Sequence, residues 1–216
     1  KKINFNKSDK LNRVEKLKDY SIKILDSNAC RRYTATIVKD IKVKESPQWL
    51  KNYLTSIGLR PKNNVVDITN FVMMNYGIPI HAFDANKISK SQINIRFAKE
   101  NESISTIDGQ NIKLKSDNLI IADSNDPIAI AGVMGGLNSS VTDKTENVLI
   151  ECAYFDPIRT AATGRKLKVE SDARFRFERG IDPSFLVNGV EIATRLILDL
   201  CGGEPSKIIT SGAAPT

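Results

Sequence analysis

The sequence predicts an α+β fold, with a strand-rich middle of mixed or antiparallel sheet flanked by helices at both ends. Helical spacing of apolar residues is confined to the stretch before Tyr76 and the stretch after Asp156, while short β-favouring runs fill the residues between them. Asp108-Gly109 joins two of those runs and is a strong hairpin signal, so neighbouring strands pair antiparallel. Strands gathered in this way, rather than alternating with helices, argue against a doubly wound parallel sheet.

Taken in order, residues 1–20 are polar and lysine-rich with weak periodicity and read as a linker or the trailing edge of a preceding domain, leaving residues 21–216 as one domain or two intimately packed lobes. Tyr33 to Val38 alternates like a strand. Ser46-Pro47 is expected to open a helix, with Ser46 as the N-cap, Trp49, Leu50, Tyr53, Leu54 and Ile57 at helical spacing, and Gly58 as the stop. A second helix is expected from Val65 to Tyr76, ended by Gly77 and Pro79, which puts Ile80 and His81 on an extended exit segment. Strands are expected at Ile93–Phe97, Ile104–Ile107, Ile112–Leu114, Leu119–Ala122, Ile128–Val133 and Val148–Tyr154. Two helices close the domain, each announced by Asp-Pro: one from Asp156-Pro157, the other from Asp182-Pro183 to Gly202-Gly203. Between them, the alternation of Phe and Arg from Asp172 to Gly180 reads as a strand or extended segment with two unlike faces.

Composition narrows the function classes. The chain has 216 residues, 41% hydrophobic and 26% charged, and its longest apolar stretch falls far short of the roughly 20 residues that span a bilayer. A soluble, cytoplasmic protein with no membrane partner is expected. Its three cysteines are odd in number and widely separated, as reduced thiols are, and a single histidine offers no zinc-ligand spacing. The net charge of +7 is uneven: residues 1–52 hold 14 Lys/Arg against 6 Asp/Glu, the remainder 18 against 19. A basic flank draws nucleic acid or other anions, or simply keeps a surface solvated.

Several residues carry chemistry or a structural alternative to it. Gly132-Val133-Met134-Gly135-Gly136 matches neither the dinucleotide fingerprint nor a P-loop; it is a tight turn, or a place where missing side chains let a ligand reach the backbone. Glu151 lies in an apolar strand, so it is tied to the protein's own donors or kept for a ligand hydroxyl. His81 is a packing residue or a proton-handling one, and no Gly-x-Ser-x-Gly elbow supplies it with a nucleophile. The Phe/Arg cluster at 172–180 offers RNA stacking, or phenylalanines in a core with arginines against acids or solvent.

Five strings, collinear over about residues 30–203, together resemble the beta subunit of bacterial phenylalanyl-tRNA synthetase, and within it the editing domain. They are Arg60-Pro61 through Asn63-Asn64-Val65-Val66-Asp67-Ile68-Thr69-Asn70; His81-Ala82-Phe83-Asp84; Gly132-Val133-Met134-Gly135-Gly136; Glu151-Cys152-Ala153-Tyr154-Phe155; and Arg174-Phe175-Arg176-Phe177-Glu178-Arg179-Gly180-Ile181-Asp182-Pro183. The resemblance implies hydrolysis of tyrosine misattached to phenylalanine tRNA. It places Arg60, Thr69, Asn70, His81, Gly135, Glu151, Ser171 and Ala173 at that site, with Ser171 keeping the hydroxyl of the family's threonine. Glu151 is then expected to read the tyrosine hydroxyl, Gly135 and Ala173 to leave room for the ring, and Arg60 and His81, the catalytic candidates, to lie nearer the ester and the tRNA acceptor end. The implied partners are that acceptor end, the tyrosine moiety and, in the full heterotetramer, the alpha subunit. No cofactor is implied for this domain, ATP and Mg belonging to the synthetic site of the full enzyme. The residues alone leave open a second reading, a tRNA- or protein-docking module without hydrolytic activity, which gains from the basic flank and the lack of a nucleophile.

Overall fold

The computed structural model describes residues 11–14 and 20–214. Most of the expected linker therefore lies outside the described residues, although Arg13 and Val14 pack on the domain: Val14 bridges Ser206, and the Arg13 guanidinium donates to Thr36 Oγ1 and pairs with Glu191 at 2.8 Å.

The elements run β1 (Ser21–Ile24), β2 (Cys30–Lys39), α1 (Gln48–Ser56), α2 (Asn64–Tyr76), β3 (His81–Asp84), β4 (Gln92–Phe97), β5 (Ser103–Ser105), β6 (Asn111–Lys113), β7 (Leu119–Ala122), β8 (Pro127–Ile130), β9 (Met134–Gly135), β10 (Val148–Phe155), α3 (Pro157–Leu167), α4 (Asp172–Phe177), α5 (Leu186–Cys201), β11 (Glu204–Pro205) and β12 (Ile209–Gly212). The α+β expectation holds. One sheet has the order β11-β2-β10-β3 with β12 also on β2; a second has the order β1-β4-β7-β8-β9; β5 and β6 form the hairpin at Asp108-Gly109. Among the strands described, the pairing is antiparallel except for β1 with β4, which is parallel.

The central strand β10 shows how the layers assemble. Its side chains alternate, as strand geometry requires. Val148, Ile150 and Cys152 pack with Leu50 and Leu54 of α1, Ile68 and Val72 of α2, and Val190 and Ile197 of α5. Leu149, Ala153 and Phe155 face the other way, against Ile93, Ile95, Leu119 and Ile121 of the second sheet. Glu151 shares the parity of this second set, so the register alone directs its carboxyl between the two sheets.

Two local expectations are corrected. Ser46 does not cap α1: Pro47 occupies that position without a side-chain cap, and the Ser46 hydroxyl donates instead to buried Asp67 Oδ2 at 2.6 Å. The 172–180 stretch is not extended; Asp172–Phe177 is the helix α4, because the Ser171 hydroxyl accepts from Arg174 N–H and the Arg174–Glu178 pair at 3.1 Å spans one turn. The expected caps at Asp156 and Asp182 are present, the second opening a short turn at Pro183–Phe185 before α5.

Candidate functional site

A cavity of about 500 Å³ opens between the sheets, within the range of small-ligand sites. α2 supplies Val66, Thr69, Asn70 and Met73 to its wall; β3 and its approach supply Pro79 to Ala82; the glycine-rich turn after β8 supplies Gly132 to Gly135; β10 supplies Glu151 and Phe155; and α4, with its cap, supplies Ser171 to Ala173 and Phe177. Seven of the eight residues expected at the site therefore line one cavity. Arg60 does not: it is exposed, on the segment before α2.

Glu151 is 5% exposed and lies directly across the ladder from His81 on one side and Ala35 on the other. The fully buried Tyr33 hydroxyl donates to its Oε2 at 3.1 Å. Loss of water around the carboxyl raises its pKa to about 8, an effect the Tyr33 bond partly opposes, so at neutral pH Glu151 is mostly a carboxylic acid. Such a group donates as well as accepts, which suits it to a phenol.

His81 is neutral at the same pH, its pKa pushed down to about 4 by burial. The ring stands edge-on to Phe83, with centroids 4.4 Å apart, and its Nε2 is buried without a hydrogen-bond partner. The ring fills the space where a side chain on Gly135 would be. A Cβ there would come within 2.6 Å of His81 Cε1, so glycine at 135 leaves room for the imidazole.

The remaining residues divide by what their polar atoms already do. Ser171 Oγ donates to Val133 O at 2.6 Å while capping α4, tying that helix to the glycine-rich turn. Thr69 Oγ1 donates back to Val66 O within α2. Asn70 lines the cavity and has no side-chain hydrogen bond among the described residues. Ala173 presents only a methyl group. Arg176 of α4 reaches Met74 Sδ of α2 at 2.8 Å, a contact that joins two walls. Of the phenylalanines in the cluster, Phe177 is core while Phe175 is 54% exposed under the Arg179 guanidinium.

Tyr33 was not legible as a site residue, because only the β2–β10 register brings it beside Glu151. Among the described residues no group of three or more His, Cys, Asp or Glu is placed to hold a metal ion.

A family model described as the B3/4 domain matches residues 29–202, which include both sheets' central strands and every lining residue named above. The chain belongs to the B3/4 domain family. Relatives of this B3/4 domain include the phenylalanine–tRNA ligase beta subunit of Paramagnetospirillum magneticum, 52% identical over 190 residues, which are 88% of this chain and 24% of that protein. The beta subunit of Desulfotalea psychrophila is 46% identical over 187 residues, 86% of this chain and 23% of that protein. The B3/4 domain thus spans about a quarter of the length of these curated relatives. An N-terminal fragment of the phenylalanyl-tRNA synthetase beta subunit from Pyrococcus horikoshii has the same fold at a TM-score of 0.58 and 13% identity, over 94% of this chain and 57% of that one.

Proposed function

We propose that this B3/4 domain, as part of a phenylalanine–tRNA ligase beta subunit, hydrolyses the ester of tyrosine misattached to phenylalanine tRNA. The observation that carries the reading is Glu151: a buried carboxyl group on a cavity wall, held on one oxygen by Tyr33. An apolar pocket shaped for phenylalanine rejects an added hydroxyl by only about 10²-fold, whereas a site that hydrogen-bonds the hydroxyl rejects the analogue lacking it by about 10⁴-fold or more. A second site that reads the hydroxyl therefore supplies the discrimination that synthesis lacks. Tyrosine satisfies Glu151, and phenylalanine leaves it buried against an apolar ring edge.

The ester is already activated, so the domain needs to orient water rather than supply a nucleophile. Water adds to the ester carbonyl carbon, the bond to the ribose oxygen breaks, and that oxygen leaves with a proton, giving free tyrosine and uncharged tRNA. His81, neutral and with Nε2 unpartnered, is the group suited to orient the water or pass its proton. Its ring leans on Gly135, whose carbonyl accepts from the N–H of exposed Ile107, so Gly135 links the imidazole to the exposed edge of the wall. Asn70 offers a free amide to the amino acid. Ser171 acts through the frame, by fixing α4 and the glycine-rich turn. Arg60 stands outside and Lys62, also exposed, on the rim, as positive charge for RNA phosphates at the entrance rather than as groups at the ester. The α subunit and the acceptor end are the partners this reading requires.

Calorimetry with the two free amino acids tests the reading. Tyrosine should bind at least tenfold more tightly than phenylalanine, since only tyrosine pairs the buried carboxyl. Equal affinities would remove the hydroxyl-reading site.

A further inference from the structure

Two of the large apolar side chains exposed on this molecule, Ile107 at 41% and Leu137 at 49%, stand on the wall of the same cavity. They come from different segments, the end of the β5–β6 hairpin and the residue after the glycine-rich turn, and backbone pairing holds them in register. Thr106 bridges Gly136 antiparallel, Ile107 N–H donates to Gly135 O at 3.1 Å, and Leu137 N–H donates to Ser105 O at 2.7 Å. In that pairing Ile107 lies opposite Gly135 and Leu137 opposite Ser105, so both side chains leave the ladder on one face as diagonal neighbours, within reach of each other. Gly135 contributes no side chain between them and His81, whose ring lies against its α-carbon. The rim on the α2 side is polar instead: Lys62, which has no ion pair among the described residues, and Asn63.

We infer that Ile107 and Leu137 form the seat for the terminal nucleobase of the aminoacyl ester, with Lys62 on the polar part of the rim taking the adjoining phosphate. This rests on the editing reading above and adds a second subsite to it. Its occupant follows from the layout. A ligand whose phenol end is at Glu151 and whose ester is beside His81 must carry its next group out past Gly135. A flat, uncharged ring with an anionic group attached matches an apolar lip on a cavity whose rim also carries a lysine. Nucleobase faces pack on apolar side chains with little dependence on sequence, so the lip needs no hydrogen-bonding group. The β5–β6 hairpin thereby acquires a task that its small apolar cluster with β8 does not explain: it carries one half of the seat.

The test compares free tyrosine with the non-hydrolysable amide joining tyrosine to 3′-amino-3′-deoxyadenosine, by calorimetry on the protein and on the Ile107→Ser/Leu137→Ser double variant. The wild type should bind the amide more tightly than tyrosine, and the double variant should lose about tenfold of that increment. Leu137→Tyr should enlarge it, which guards against loss through misfolding. Equal affinity of the wild type for amide and tyrosine, or an increment unchanged in the double variant, would overturn the seat while leaving the tyrosine site standing. Failure of tyrosine itself to bind would overturn the editing reading, and the seat with it.

Discussion

Glutamine in place of Glu151 isolates the energetic consequence of holding a carboxyl group between two sheets. In the folded protein Glu151 keeps its proton to about pH 8, whereas its ordinary value is 4.5. Between those limits folding takes up a proton, so the stability contribution is fully present below pH 4.5 and declines as pH rises toward 8. At about 1.4 kcal/mol per pH unit, the loss is about 3 kcal/mol at pH 7 and about 5 kcal/mol above pH 8. Glutamine has no such titration, and its amide oxygen can still accept from Tyr33. Urea unfolding of both proteins at pH 5, 7 and 8 should show Glu151→Gln gaining on the wild type by about 3–4 kcal/mol across that range. His81 titrates in the opposite sense. Its folded value of about 4 lies below its ordinary 6.5, so its contribution is lost as pH falls through that window, but equally in both proteins. Parallel stability profiles for wild type and variant from pH 5 to 8 would show that Glu151 is solvated and ionised in the native state, and the reasoning from burial would fail.

Two further substitutions probe the cavity. Gly135→Ala should keep the fold, since Gly135 has ordinary backbone angles, but its new Cβ displaces the His81 ring; a shift of about 1 Å at a reacting group lowers ester hydrolysis by about 10²-fold. Deacylation by this variant at the wild-type rate would separate the imidazole position from activity. Ala173→Trp should fill the cavity and abolish deacylation while the melting temperature stays within a few degrees, and retained hydrolysis would remove Ala173 from the wall.

The sequence made most of this site legible where local rules operate. α2 was readable from its spacing and from Gly77, the hairpin from Asp108-Gly109, and β10 from an unbroken apolar run with one acid in it. Local rules misled at α4, where Phe and Arg alternate like a strand although Ser171 and the Arg174–Glu178 pair favour a helical turn. They misled again at Ser46, whose hydroxyl is claimed by Asp67, 21 positions away. The short strands β1, β11 and β12 were not readable, because such edge segments are defined by the neighbours they pair with rather than by their own pattern. Tyr33 and the Ile107–Leu137 lip depend on cross-strand register, and Gly135 on a packed imidazole 54 positions away in the chain, which no periodicity records.

Deacylation by the assembled ligase containing Glu151→Ala tests the central claim most directly, with Tyr-tRNA and Phe-tRNA esters and the melting temperature measured on the same preparation. If Glu151 reads the substrate hydroxyl, hydrolysis of the tyrosyl ester should fall and the preference for it over the phenylalanyl ester should collapse, while destabilisation stays within the about 1–3 kcal/mol that stranding the buried Tyr33 hydroxyl costs. A stable variant that hydrolyses the tyrosyl ester with undiminished selectivity would contradict the account.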